Sequence, residues 1–102
     1  MTQKSKSFHV LLKTSFFKNE LYSISCDTEK ILFKGAEQGN EDFAVSLNDI
    51  DSVYIYGNPP REIEIRMKDK VIIGSFKSTK NSHQATSILK RILREKLFQT
   101  DH

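Results

Sequence analysis

The stretch from Asn81 to Phe98, NSHQATSILKRILREKLF, is the one part of the chain with a sustained helical period, and its reading decides the fold. Ala85, Ile88, Leu89, Ile92, Leu93 and Leu97 follow the i, i+3, i+4, i+7, i+8 rhythm of a single buried stripe. Asn81 reads as the N-cap, with Gln84 three residues on in the reciprocal capping position. Burying the stripe is worth on the order of 8–15 kcal/mol before entropy is subtracted. A stripe committed to the protein's own core is not available to a bilayer. What remains for a partner is the basic flank, Lys90, Arg91, Arg94 and Lys96.

Working back from the helix, everything before it reads as short strands. Phe8, Val10, Leu12, Thr14 and Phe16 alternate with polar residues, and Lys18-Asn19-Glu20 supplies a tight turn into Leu21–Cys26. Further strands are expected at Ile31–Lys34, Phe43–Leu47, Ile50–Tyr56, Arg61–Lys68 and Val71–Phe76. Between the third and fourth lies an acidic loop, GAEQGNED, at residues 35–42. Gly57-Asn58-Pro59-Pro60 ends the fifth, because proline cannot donate to a ladder. In the sixth, Ile63, Ile65 and Met67 alternate with Glu62, Glu64, Arg66 and Lys68, giving one dry face and one charge ladder read as solvated.

The links between strands are too short for parallel crossovers, so antiparallel order is expected throughout. The fold class is therefore α+β, mainly β: about seven antiparallel strands in two packed sheets or a partly open barrel, closed by one C-terminal helix. At 102 residues the chain reads as one domain over 8–98, with a flexible N-terminus at 1–7 and a tail at 99–102.

Composition limits the function classes. Hydrophobic residues at 37% and charged residues at 28% suit a folded soluble protein, and no apolar run reaches the ~20 residues that span a bilayer. Lys13 interrupts the N-terminal apolar run, so a signal peptide is not expected. Cys26 is the single cysteine, which points to a reducing cytoplasm. The net charge of +3 is uneven: residues 1–18 carry +4, residues 19–60 carry −6 and residues 61–102 carry +5. Intermixing on a solvated surface explains that pattern most simply, and the sharper alternatives are a basic patch for an anionic partner or charge-complementary self-association.

Catalytic and metal chemistry finds no footing. His9, His83 and His102 fall in different elements, one cysteine cannot build a zinc site, and the glycine-bearing loop is acidic. Asp49 and Asp51 flank Ile50 in a bend and read as turn formers. Asp27 and Glu29 beside Cys26 disfavour a thiolate. No enzyme and no cofactor are expected.

The order of elements, two strands, five more and one closing helix, resembles the pleckstrin-homology-like superfold with its GRAM and bacterial branches. Leu21-Tyr22-Ser23-Ile24 followed by Ile31-Leu32-Phe33 looks like the GRAM-type strand succession, and Leu47-Asn48-Asp49-Ile50-Asp51-Ser52-Val53 like its step into the second sheet. The resemblance covers Val10 to Leu97 and implies a binding module without catalysis. Members that hold phosphoinositides use basic residues around the first hairpin, where this chain has Lys13 and Lys18. Members that hold peptides use the groove between the helix and the fifth strand, edged here by Tyr54, Tyr56 and the Lys90/Arg91 side of the helix, with Arg94 beyond it. A protein partner or a second copy ranks first, an anionic membrane surface second. Nucleic acid ranks last, since a basic stripe interleaved with exposed aromatics is missing.

Overall fold

In the computed structural model, residues 7–16, 18–37 and 40–100 are described. The expected loose end therefore falls outside them apart from Ser7, as do Phe17 and the last two residues of the tail.

Eight strands form among the described residues: β1 (Ser7–Ser15), β2 (Lys18–Cys26), β3 (Lys30–Gly35), β4 (Phe43–Ser46), β5 (Ile50–Tyr56), β6 (Glu62–Met67), β7 (Val71–Phe76) and β8 (Leu97–Thr100). One helix, α1 (Thr79–Leu93), stands between β7 and β8. The strands make a single mixed sheet in the order β4-β3-β2-β1-β7-β6-β5-β8, which is not closed into a barrel. The fold class is as expected from the sequence, α+β and mainly β with a C-terminal helix. The difference lies in a continuous sheet and in one further strand after the helix.

Alternation explains which side of each strand is dry. Phe8, Val10 and Leu12 of β1, Tyr22 and Ile24 of β2, and Ile31 and Phe33 of β3 are buried. So are Val53 and Ile55 of β5 and Ile63 and Ile65 of β6. Register shifts between Lys13 and Ser15 in β1 and between Ile50 and Ser52 in β5 bend the strands and help the sheet curl around this core. The two halves meet where β1 pairs β7. Gly74 sits at that seam, and a Cβ there would overlap the side chains of Val10 and Leu12.

Helix α1 enters one turn earlier than its sequence suggests. Ser78, not Asn81, is the N-cap, accepting from the Asn81 N–H at 3.1 Å. Asn81 is used differently: its Oδ1 accepts from the His9 N–H at 3.0 Å and its Nδ2 donates to the His9 carbonyl. A side-chain amide thus pairs with β1 as another strand's backbone would. Gln84, expected in a capping box, instead donates to the Ser7 carbonyl at 2.7 Å. Ala85, Leu89 and Leu93 are buried in the core as the stripe requires.

The helix stops at Leu93. Arg94 takes φ 53°, a left-handed conformation uncommon outside glycine, and its N–H reaches the Lys90 carbonyl. A 3-10 turn over Arg94–Lys96 follows, and Leu97 onward becomes strand. β8 lies parallel to β5, with Val53 opposite Leu97 and Tyr56 opposite Thr100. All-antiparallel order fails here because α1 supplies the long crossover that a parallel neighbour needs. Gln99 and Thr100 thus belong to the sheet.

Candidate docking face on β5–β8

Inward Val53 and Ile55 leave Tyr54 and Tyr56 on the outer face of β5. Inward Ile63 and Ile65 do the same for Glu62, Glu64 and Arg66 on β6. Directly opposed residues share a face, so the register carries that surface across the sheet. Tyr54 stands opposite Phe98 of β8 on one side and Glu64 on the other, and Glu64 stands opposite Ile73 of β7. Tyr56 stands opposite Glu62 and Arg66 opposite Val71.

The rings form a column. Tyr54 stacks on Phe98 at 5.0 Å between centroids and 18° between planes, and on Tyr56 at 6.1 Å and 13°. The Arg66 guanidinium lies 4.2 Å from the Tyr54 centroid while its Nε donates to Glu64 Oε2. The Tyr56 hydroxyl donates to Glu64 Oε1 at 3.2 Å. Glu64 thus fixes both neighbours. Loss of water, then the charge of Glu64, pushes the Tyr56 hydroxyl above its ordinary pKa. The hydrogen bond to Glu64 raises that of Arg66. Locked rings and a locked guanidinium lose little freedom on binding, which favours recognition.

Large apolar side chains remain open beside the column: Phe98 and Ile73 are each 45% exposed and Val71 is 50% exposed. A shallow depression joins Val71 and Ile73 to Lys13, Thr14, Ser15 and Phe16 of the first hairpin. Lys13 Nζ lies 5.7 Å from the Phe16 ring centroid, and that ring is 85% exposed.

Tyr54, Tyr56 and Lys13 therefore gather along one side of the molecule. Lys18 does not join Lys13: it bridges to Glu20 at 3.7 Å, whereas Lys13 stands opposite Asn19 between them. Lys90, Arg91 and Arg94 are exposed on and just after the helix, whose buried face packs on the inner side of the sheet. The cation laid on Tyr54 is instead Arg66 of β6. The groove expected between helix and fifth strand is filled by β8, which occupies the β5 edge; Lys96 Nζ adds a tie to the Leu47 carbonyl at 3.0 Å. Sequence alone does not single out Phe98, whose spacing places it in the helix, or Arg66, which reads as part of a solvated charge ladder.

Chemistry elsewhere is sparse. A groove of about 650 Å³ between β4 and the β6–β7 turn mixes Asp49, Asp51 and Asp69 with Lys68 and Lys70, so no single charge dominates it. No group of three or more His, Cys, Asp or Glu among the described residues is placed to hold a metal. Burial, then the charge of Asp27, pushes the Cys26 thiol up to about 12, far from a reactive thiolate.

No family model and no curated protein sequence matches the chain. Solved structures do. All of this chain superposes on 57% of a chain in the structure of the Spt16D Pob3N heterodimer, with TM-score 0.70 and 17% identity. The N-terminal PH domain of human ARAP2 matches over 93% of this chain and 85% of its own, with TM-score 0.67 and 14% identity. The fold is pleckstrin-homology-like. Inner Membrane Complex Sub-compartment Protein 3 of Toxoplasma gondii also matches, over 88% of this chain and 76% of its own, with TM-score 0.61 and 16% identity. At such identities the likeness is one of fold, and the chain spans little more than half of the Spt16D Pob3N chain. The pleckstrin-homology-like core here carries β8 as its own occupant of the β5 edge.

Proposed function

We propose that the protein is a non-catalytic binding module that docks a protein partner on the outer face of β5–β8. Supporting this above all is the ring column of Tyr54, Tyr56 and Phe98 with Arg66 laid on it, beside exposed Val71 and Ile73. Tyrosine, phenylalanine and arginine are the residue types that anchor protein interfaces. Nucleic-acid stacking fits less well, because the faces of Tyr54 are already covered by Phe98, Tyr56 and Arg66. No helix among the described residues is long and apolar enough to cross a membrane.

A photo-crosslinking residue in place of Tyr54 tests the reading in cells. Protein adducts are expected there and not from the same residue at Lys90. Adducts from Lys90 alone would move the site to the helix.

Anionic headgroups form a second reading, favoured by the exposed Phe16 ring beside Lys13 at the tip of the first hairpin. Salt-sensitive pelleting with anionic vesicles, lost in Lys13→Glu, would support it. Pelleting unchanged by that substitution would remove it.

A further inference from the structure

We infer that the partner of this face is a second copy of the chain, set in register by the charge sequence along β6; the inference rests on the docking-face reading above. Glu62, Glu64 and Arg66 occupy successive outward positions of β6, and Lys68 follows at its exit. Their signs run minus, minus, plus, plus. Such a block pattern is complementary to itself only when two copies lie antiparallel.

A two-fold axis in the plane of the interface, crossing β6 between Glu64 and Arg66, produces that alignment. Glu64 then faces the partner's Arg66, and Glu62 faces the partner's Lys68. The observed register decides what comes with them. Ile73 is opposite Glu64 and Val71 is opposite Arg66, so Ile73 of each copy meets the partner's Val71. These are among the most exposed large apolar residues described. On β5, Tyr54 is opposite Glu64 and Ser52 opposite Arg66, so each Tyr54 faces the partner's Ser52, a small residue that leaves room for a ring. Apolar, aromatic and charged rows thus all match under one operation. A shifted or parallel arrangement sets like charges against each other.

The groups divide the work. Exposed ion pairs add little affinity, so the ladder chooses partner and register, while Val71, Ile73 and the rings supply the buried contact. Face-to-face sheets lie ~10 Å apart with strands roughly aligned, which an antiparallel β6 pair satisfies.

The test uses the full chain and two charge variants, Glu62→Lys/Glu64→Lys and Arg66→Glu/Lys68→Glu, with folding checked by circular dichroism. Sedimentation velocity over about 10 µM to 1 mM is expected to show the wild type dimerising. Each variant alone should weaken the dimer by roughly tenfold or more, since four like charges then face four. Mixing the two variants in equal amounts should restore it, because an all-plus ladder meets an all-minus one. A wild type that stays monomeric, or a mixture no tighter than its components, overturns the inference. Should either charge variant fail to fold, Ile73→Lys takes its place: loss of dimer supports the inference and an unchanged dimer overturns it.

The crosslinker at Tyr54 separates this inference from the reading beneath it. An adduct of two copies supports both. An adduct with a different protein alone overturns the second copy and leaves the docking face standing, and no adduct with any protein overturns both.

Discussion

Strands β1–β4 and strands β5–β8 arise from the same alternation of apolar and polar residues and line one core, yet they differ on the outside. Across the first half runs the row His9, Ser23, Lys34, set by the pairing of β1, β2 and β3. Across the second runs Phe98, Tyr54, Glu64, Ile73. The first row suits water. The second holds stacked rings and open aliphatic carbon. Their edges differ as well. At the end of β3 a side chain holds the backbone, the Gly35 N–H donating to Asp42 Oδ1 at 3.0 Å. The β5 edge is covered by the chain's own β8. The open edge of the second half is thereby moved to β8, while the outer face of β5–β7, whose backbone is paired on both sides, offers a partner side chains.

The widest break in this comparison comes from the core the halves share. Phe33 is fully buried and stacks on Phe43 at 4.5 Å and 7°. Phe33→Ala should cost about 3–5 kcal/mol, read from urea unfolding. One cooperative transition is expected, with strands of both halves lost together. Two separate steps would mean that the halves have independent cores.

Removing residues 97–102 aims at the second half alone. It takes away the ladder to β5, the partly buried Leu97 and the Phe98–Tyr54 stack. A loss of about 2–3 kcal/mol is expected from that burial and stacking. Hydrogen exchange should quicken at β5 and stay slow at β2 and β3. Unchanged exchange at β5 would show that β8 does not guard it.

A smaller effect belongs to the clasp between helix and first half. Asn81→Ala deletes both hydrogen bonds to the His9 backbone but leaves the Ser78 cap in place. About 1–2 kcal/mol should be lost. Ser78→Ala should cost roughly 1 kcal/mol through the cap. Equal losses that do not add in the double variant would show the two working as one unit.

Alternation makes β1, β2, β3, β5 and β6 legible because each has one wet and one dry side, and the helical stripe from Ala85 to Leu93 is legible for the same reason. The end of the helix is not. No glycine or proline marks it, and Leu97 continues the helical spacing while packing against the core from a strand instead. Arg94 in a left-handed conformation carries no sequence signal. The candidate face was hidden for another reason. Tyr54, Arg66, Ile73 and Phe98 come from four strands, and only their register makes them neighbours. The sequence points to Tyr54 and Tyr56 but sets them along a groove beside the helix. The chain fills that place itself.

The smallest expected effect is a dependence on pH that comes from one turn of the first half. Asp27 opens the β2–β3 turn, and its Oδ1 accepts from the Glu29 N–H at 2.7 Å and the Lys30 N–H at 2.9 Å. These two bonds, the Glu29 one foremost, hold its carboxyl below the ordinary carboxylate value. A depressed folded pKa adds stability that is present above the unfolded pKa and is lost as pH falls through the folded one. The contribution should therefore be intact at neutral pH and fade through the carboxylate range on acidification. Asp27→Ser keeps a side-chain acceptor without a titrating charge, so its midpoint should fall less steeply with pH than that of the wild type. Parallel acid profiles for the two proteins would show that the charge of Asp27 contributes nothing to the turn. The β2–β3 turn contributes to the slope because it is tied by a carboxylate. The β5–β6 turn is tied instead by backbone, the Gly57 N–H reaching the Thr100 carbonyl and the Arg61 N–H the Tyr56 carbonyl, each at 2.8 Å. Neither backbone pair titrates, so cutting back β8 should lower the midpoint without changing its slope on the acid side.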